Sequence, residues 1–343
     1  MRMMTTMETT TLALAGDTML GRLVAERLAT VPPRDLFDDG VVEIAKEADL
    51  FVLNLECAIS DRGERWPDPG KPFFFRGPPA AVEVLTYLGV GCVSLANNHA
   101  LDYGTEALLD TIRRLDDAGI AAVGAGADVA TARRPAILRS GDRTIGLVGL
   151  TDHPADFAAG AESPGVAYAD LRRERPHWVL DTVRVLAADP AVDIVVATPH
   201  WGPNMVPAPV AHVRHAAADL LAAGAGLVAG HSAHVVHGVG RYVLYDLGDF
   251  IDDYATHPSL RNDLGMMFLV TYEGDRPTRV EGVPLALDFC RTRLADGDDA
   301  RWMAERFRAA CAALGTEVDE RDGRLVIEWD LIDRPPPPSE VVR

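Results

Sequence analysis

An α/β fold is what this 343-residue sequence predicts. Three observations carry the prediction. Short apolar runs alternate with helix-period patterns over most of the chain. Five of those runs end directly in a carboxylate, an amide or an imidazole, at the position where strands of open α/β sheets present ligand-binding groups. Hydrophobic residues make up 48% of the chain, enough to bury the core of one large domain with appendages or of about two domains at roughly 150 residues each.

The elements follow in order. Strands are expected at Thr11–Ala15, Leu50–Leu55, Cys92–Ala96, Thr144–Leu150, Asp193–Thr198, Leu227–Ala229, Tyr242–Tyr245 and Met266–Tyr272. Val280–Leu287 and Arg324–Trp329 read as later strands. The span Gly104–Ala118 sets Leu108, Leu109, Ile112 and Leu115 on one helical stripe, with Gly119 as the stop. Val210–Ala223 and Arg301–Leu314 read as further helices, and 61–79 and 151–170 as loops. Beyond about residue 260 no site-like motif occurs; this region is expected to complete the second sheet and cover the core. Taken together, 8–290 forms one domain, 291–334 a C-terminal helix and strand packed on it, and 335–343 a Pro-rich tail in extended conformation.

The formal charge of −18 argues against a nucleic-acid-binding protein and against attraction to anionic membranes, both of which require clustered Lys and Arg. No apolar run reaches the roughly 18 residues of a membrane span. The N-terminal apolar stretch runs straight into Asp17 and reads as a strand, not a leader. Cys57, Cys92, Cys290 and Cys311 form no CxxC pair, which suits reduced thiols and a cytoplasmic location. Composition leaves the oligomeric state open.

The chemistry-bearing residues sit at strand ends. Asp17 follows LALAG, Glu56 follows FVLNL, Asn97, Asn98 and His99 follow CVSLA, His200 follows IVVATP, and His231 and His234 lie in GHSAH after GLVA. Each has a plain structural reading: a helix cap for Asp17, turn amides for Asn97 and Asn98, a core imidazole for His99, packing beside Trp201 for His200. Glu56 fits such a reading least, because an unpaired buried carboxylate is costly. Together these oxygen and nitrogen donors suit Mn, Fe or Zn.

At these residues the sequence resembles the capsule-synthesis CapA family, the poly-γ-glutamate synthesis proteins, within the calcineurin-like metallophosphoesterase superfamily. The matching stretches are LALAGDTMLGR, FVLNLECAIS, GKPFFFRG, VSLANNHALDYG, GAGAD, PHWGPN, AGAGLVAGHSAH and VLYDLGDFIDD, in order across 11–253. The resemblance implies a four-layer αββα sandwich: two mixed sheets flanked by helices. It also implies a centre of two divalent ions. Carried over by position, Asp17 and His234 would hold the first ion and Glu56 would bridge. Asn98, His200 and His231 would hold the second. His99 would stand beside the reacting group, with Asp102 fixing its ring. Met19 stands where phosphoesterases carry a histidine, so a centre with one firmly held ion stays open as well.

A divalent ion at such a centre would acidify bound water and favour an anionic substrate group. Lys71 and Arg76 are expected to receive a substrate carboxylate, or else to be solvated charges on a short strand. Asn97 and His153 are expected to line the substrate pocket, with a plain loop histidine as the other reading of His153, and Trp201 to pack near the site as a wall. His212 and His215 read as surface or partly buried, and Asp246 and Asp249 as acceptors for histidine N–H groups or as turn residues. The leading expectation is a metal-dependent hydrolase or acyl transferase acting on a γ-glutamyl-type amide in a small peptide or biosynthetic intermediate. A phosphoesterase and a non-catalytic capsule component are the alternatives.

Overall fold

The computed structural model describes residues 9–173 and 176–329. Two sheets face each other. The larger has the order Asp319–Arg321, Arg324–Glu328, Arg276–Leu287, Leu264–Glu273, Thr9–Thr18, Leu50–Leu55, Val90–Ser94, Ala121–Val123. Asp249–Ile251 adds parallel to the end of the first strand, and Thr292–Leu294 antiparallel to Arg276–Leu287. The smaller runs Val239–Gly240, Val243–Leu244, Leu227–Ala229, Ile194–His200, Arg143–Thr151, Ala136–Ser140. Both sheets mix parallel and antiparallel pairs.

The first strand shows why the apolar runs are continuous rather than alternating. Leu12 and Leu14 pack between the sheets, against Ile145, Leu147, Ile194 and Val196 of the smaller one. Ala13 and Ala15 face the other way, onto the layer that contains Val24, Val41, Val84 and Leu85. A strand covered on both faces needs apolar residues at every position. The smaller sheet repeats this, with Val148, Val195 and Ala197 against Val183, Val213 and Leu220 of helices His177–Ala188 and Ala211–Ala223. The architecture is the four-layer αββα sandwich.

Two expectations are corrected. The strands after residue 260 join the larger sheet, where Leu264–Glu273 pairs antiparallel with the first strand; they do not complete the smaller one. Leu109 is 38% exposed, so the buried stripe of helix Gly104–Asp117 runs through Ala107, Leu108, Thr111 and Leu115 instead. Helices Arg22–Leu28, Asp39–Ala45, Ala81–Leu88 and His177–Ala188 lay unread in the sequence. All but the last span only two turns, too short to form alone, and owe their stability to the sheet beneath them.

Helix Gly297–Ala312 sends Met303, Phe307 and Cys311 into the inter-sheet core. All four cysteines are buried and free. Among the described residues no helix is long and apolar enough to cross a membrane. The Pro-rich tail lies outside the described residues.

Candidate metal centre

The two sheets bring their strand ends together. Asp17 and Glu56 come from adjacent strands of the larger sheet; His200, His231 and His234 come from the smaller. Asp17, Glu56, His200 and His231 are each at most 1% exposed, and His234 7%. Two groups of potential ligands form. One is Asp17, His200 and His231, the other Asp17, Glu56 and His234; within each, the ligand atoms lie within 4.8 Å of one another. Asp17 belongs to both.

Backbone pairing sets the first group. His200 and His231 form a parallel bridge, which brings their Nδ1 atoms to 2.8 Å. Asp17 Oδ1 lies 3.7 Å from Nδ1 of His231 and 4.0 Å from Nδ1 of His200. In the second group, His234 Nδ1 is 3.3 Å from Asp17 Oδ2, and its Nε2 is 3.8 Å from Glu56 Oε1. Gly16 lets the loop that carries Asp249 approach Asp17: a Cβ there would sit on the Gly248 carbonyl oxygen, which accepts the Asp17 N–H at 2.9 Å.

Surrounding groups orient these side chains. Asn54 donates to Asp17 Oδ1 at 2.7 Å, and Asn97 in turn donates to Asn54 Oδ1 at 3.0 Å. Ser232 N–H reaches Asp17 Oδ2 at 3.2 Å. Thr198 Oγ1 lies 3.1 Å from His231 Nε2, and Asp249 Oδ1 lies 2.8 Å from His234 Nδ1. Carboxylates behind ligand imidazoles are a common feature of metal sites.

Electrostatics and orphaned atoms both favour a cation. Burial, reinforced by Asp17, pushes the Glu56 carboxyl well above its ordinary range; burial also raises Asp17. Burial pushes His200 far down and His231 to about 3. For His234 burial acts downward, but Asp249, Glu56 and Asp17 outweigh it and push the ring well above its ordinary range. Glu56 Oε1 and His200 Nε2 are buried without hydrogen-bond partners, 4.0 Å apart, and Asn98 Oδ1 and Asp249 Oδ2 are likewise unpartnered. Such groups are costly in an empty core. The residues therefore fit a divalent ion with nitrogen and oxygen ligands.

His99 stands at the edge. Its Nδ1 is 2.6 Å from Asp102 Oδ2, and its ring stacks on Phe75 with centroids 3.9 Å apart. Burial outweighs Asp102 and holds His99 at about 4, so the ring is neutral at pH 7. Tyr254 OH lies 3.5 Å from Glu56 Oε2.

Four of the residues assigned to substrate take other places. Lys71 is 3.0 Å from Asp102 Oδ1 and donates to the Asn98 carbonyl at 2.9 Å, so its charge is paired with Asp102. Arg76 lies over the Tyr103 ring and donates to the carbonyls of Arg62 and Gly63. Asn97 spends its amide on Asn54, the Leu55 carbonyl and the His99 N–H. Trp201 packs in the outer core among Val213, Leu220 and Val228, with its N–H on the Tyr245 carbonyl. A strand-end position does not reveal on which side of the sheet a side chain falls. Met19 turns into the opposite core, where its sulfur accepts the Gly21 N–H. Asp246 caps the backbone of Ala233 and Gly248, not a histidine. In the sequence, Asn54 and Thr198 are marked only as polar residues inside apolar strands, and Tyr254 and Asp152 carry no comparable signal.

The family described as bacterial capsule synthesis protein PGA_cap matches residues 11–254. The chain belongs to this family. Among its PGA_cap relatives is a Mycobacterium tuberculosis protein described as "Probable polyglutamine synthesis accessory protein", 33% identical over 298 residues, 81% of this chain and 76% of that one. The "PGA biosynthesis protein CapA" of Bacillus subtilis is 29% identical over 244 residues, 69% of this chain and 62% of that one. A solved structure of a hypothetical protein from Thermus thermophilus aligns with a TM-score of 0.46 at 16% identity, covering 81% of this chain and all of that one.

Proposed function

We propose that this PGA_cap protein is a metal-dependent hydrolase or acyl transferase of capsule-type biosynthesis that acts on a γ-glutamyl-type amide. The observation that carries the reading is the pair of buried ligand groups sharing Asp17, with Glu56 Oε1 and His200 Nε2 left unpartnered between them. Asp17, His200 and His231 would hold one ion; Asp17, Glu56 and His234 would hold a second, weaker one, since Met19 contributes nothing there. A divalent ion supplies an acidified water and positive charge opposite the developing oxyanion. The protein's own part is orientation. Asp102, neutralised by Lys71, fixes His99 with Nε2 as the ring atom available to substrate. A neutral His99 serves as an acceptor and orienter, not as a standing acid. Phe75 covers one face of that ring and limits water access.

The γ-glutamyl substrate rests on the resemblance to the poly-γ-glutamate synthesis family; the fold leaves the substrate open. A non-catalytic role has one observation in its favour, the description of the Mycobacterium relative as an accessory protein.

Elemental analysis of protein equilibrated with Mn, followed by assays on a γ-glutamyl dipeptide and a phosphodiester, tests the reading. One or two ions per chain and cleavage of the dipeptide are expected. Asp17→Asn and His231→Ala should lose both ion and turnover with an unchanged far-ultraviolet circular dichroism spectrum. Absence of any bound ion ends the metal reading. A bound ion without turnover of either substrate favours the accessory role, and turnover of the phosphodiester alone favours a phosphoesterase.

A further inference from the structure

A second imidazole–carboxylate pair stands on the smaller-sheet side of the centre. Strand Arg143–Thr151 runs parallel to Ile194–His200 with Thr151 opposite His200, so Asp152 and His153 emerge beside the first ligand group. Asp152 is held on every side. Its N–H donates to the His200 carbonyl at 3.1 Å. Its side chain is 1% exposed. Oδ1 lies 2.5 Å from His153 Nδ1. Oδ2 accepts the Gly202 N–H at 3.1 Å and lies 3.2 Å from Nε2 of His212, on helix Ala211–Ala223. The carboxylate thereby joins the loop after one strand, the loop after the next and the helix that follows.

His153 is what this clamp aims. Its ring centroid is 5.2 Å from that of His200, yet its side chain keeps 29% exposure while His200 has none. A histidine placed only for packing has no need of an open edge. His237 shows the contrast: it is 4% exposed, with Nε2 tied to the Val206 carbonyl. A carboxylate on Nδ1 selects the tautomer protonated there and leaves the Nε2 lone pair as an outward acceptor.

We propose that His153 is a substrate-binding residue whose Nε2 accepts a hydrogen bond from an N–H or O–H group of the substrate next to the Asp17–His200–His231 group, with Asp152 and His212 as positioning residues. The proposal rests on the metal-dependent reading above and sharpens its substrate class. An amide or ammonium N–H adjoining the attacked bond satisfies this acceptor; a phosphodiester lacking any N–H or O–H does not.

The test uses the full chain loaded with Mn and two probes, γ-glutamylglutamate and dimethyl phosphate, with binding measured by calorimetry. His153→Ala is expected to weaken the dipeptide about tenfold, the loss of one hydrogen bond, and to leave Mn content and dimethyl phosphate affinity unchanged. His153→Gln, which again presents an acceptor, should recover part of the loss. Asp152→Asn can offer its own N–H to Nδ1 and so move the ring proton to Nε2; it is expected to match His153→Ala although the imidazole remains. Unchanged dipeptide affinity in His153→Ala overturns the proposal, as does equal weakening of both probes. Wild-type protein that holds Mn but binds only dimethyl phosphate overturns the donor preference. Wild-type protein that holds no Mn overturns the underlying metal reading, and the proposal with it.

Discussion

Glu56 concentrates the conflict between folding and binding in one side chain. Fully buried, beside Asp17 and with Oε1 unpartnered, its carboxyl titrates well above the ordinary 4.5. A raised folded-state pKa means that its contribution is most favourable below about 4.5 and is lost as pH rises through the folded value. In the ion-free protein, burying Glu56 therefore costs stability at pH 8, where the unfolded chain carries it as a solvated carboxylate. Glu56→Gln should make the ion-free protein at least as stable as the wild type at that pH, by about 1–3 kcal/mol, and should diminish the gain on adding Mn. Thermal melts at pH 5 and pH 8, with and without Mn, check this. A large drop in the ion-free melting temperature of the variant would contradict it. His234 shows the complementary arrangement, an imidazole whose pKa three surrounding acids push upward against its burial.

At the scale of elements, helix Gly104–Asp117 anchors the segment that carries His99 and Asp102. Its Asp110 is 4% exposed and binds Arg113, Arg114 and Ser60, each at 2.7 Å, while Arg114 also reaches Asp61. Burial alone would raise the Asp110 pKa, but these hydrogen bonds outweigh it and hold the carboxyl well below 3.8. A depressed pKa adds stability above the unfolded value, and that stability is lost as pH falls below about 4. Asp110→Asn should cost about 1–3 kcal/mol at pH 7 and little at pH 2.5. Urea midpoints at the two pH values decide it; an equal loss at both would show that packing, not charge, is what the side chain supplies. The strand ends follow another logic. Asn54 and Asn97 form an amide chain across three neighbouring strands that ends on Asp17, so strand register itself aims the Asp17 carboxylate.

For the molecule as a whole, the candidate centre lies where the two sheets meet, and each sheet contributes potential ligands to each group. An ion bound there ties the two sheets together, and binding to the folded state alone adds about 2.7 kcal/mol at an ion concentration one hundred times the dissociation constant. Chelation should lower the melting temperature, with Mn restoring it in a concentration-dependent manner, and Asp17→Asn should abolish that dependence. Tight, stoichiometric Mn binding with no thermal shift would place the ion elsewhere. The charge of −18 sets the wider field. A long polyanion approaches such a surface against repulsion, which favours a short peptide over a polymer as substrate.

The sequence by itself determined the layered α/β plan and the identities of the ligand candidates. Strands buried on both faces must be apolar throughout, as in LALA, FVLNL and IVVAT, so a carboxylate or imidazole at their ends stands out against the cost of burying it. It also held the His99–Asp102 spacing that the structure closes to 2.6 Å. Only the tertiary structure decided which sheet the last strands join, that Asp17 serves both ligand groups, and that Lys71 and Asn97 answer to neighbouring side chains. Likewise, Trp201 belongs to the core, and Asp152 reaches 60 residues along the chain to His212. Such pairings depend on which residues two stacked sheets bring face to face, and periodicity along one strand carries no information about its partner.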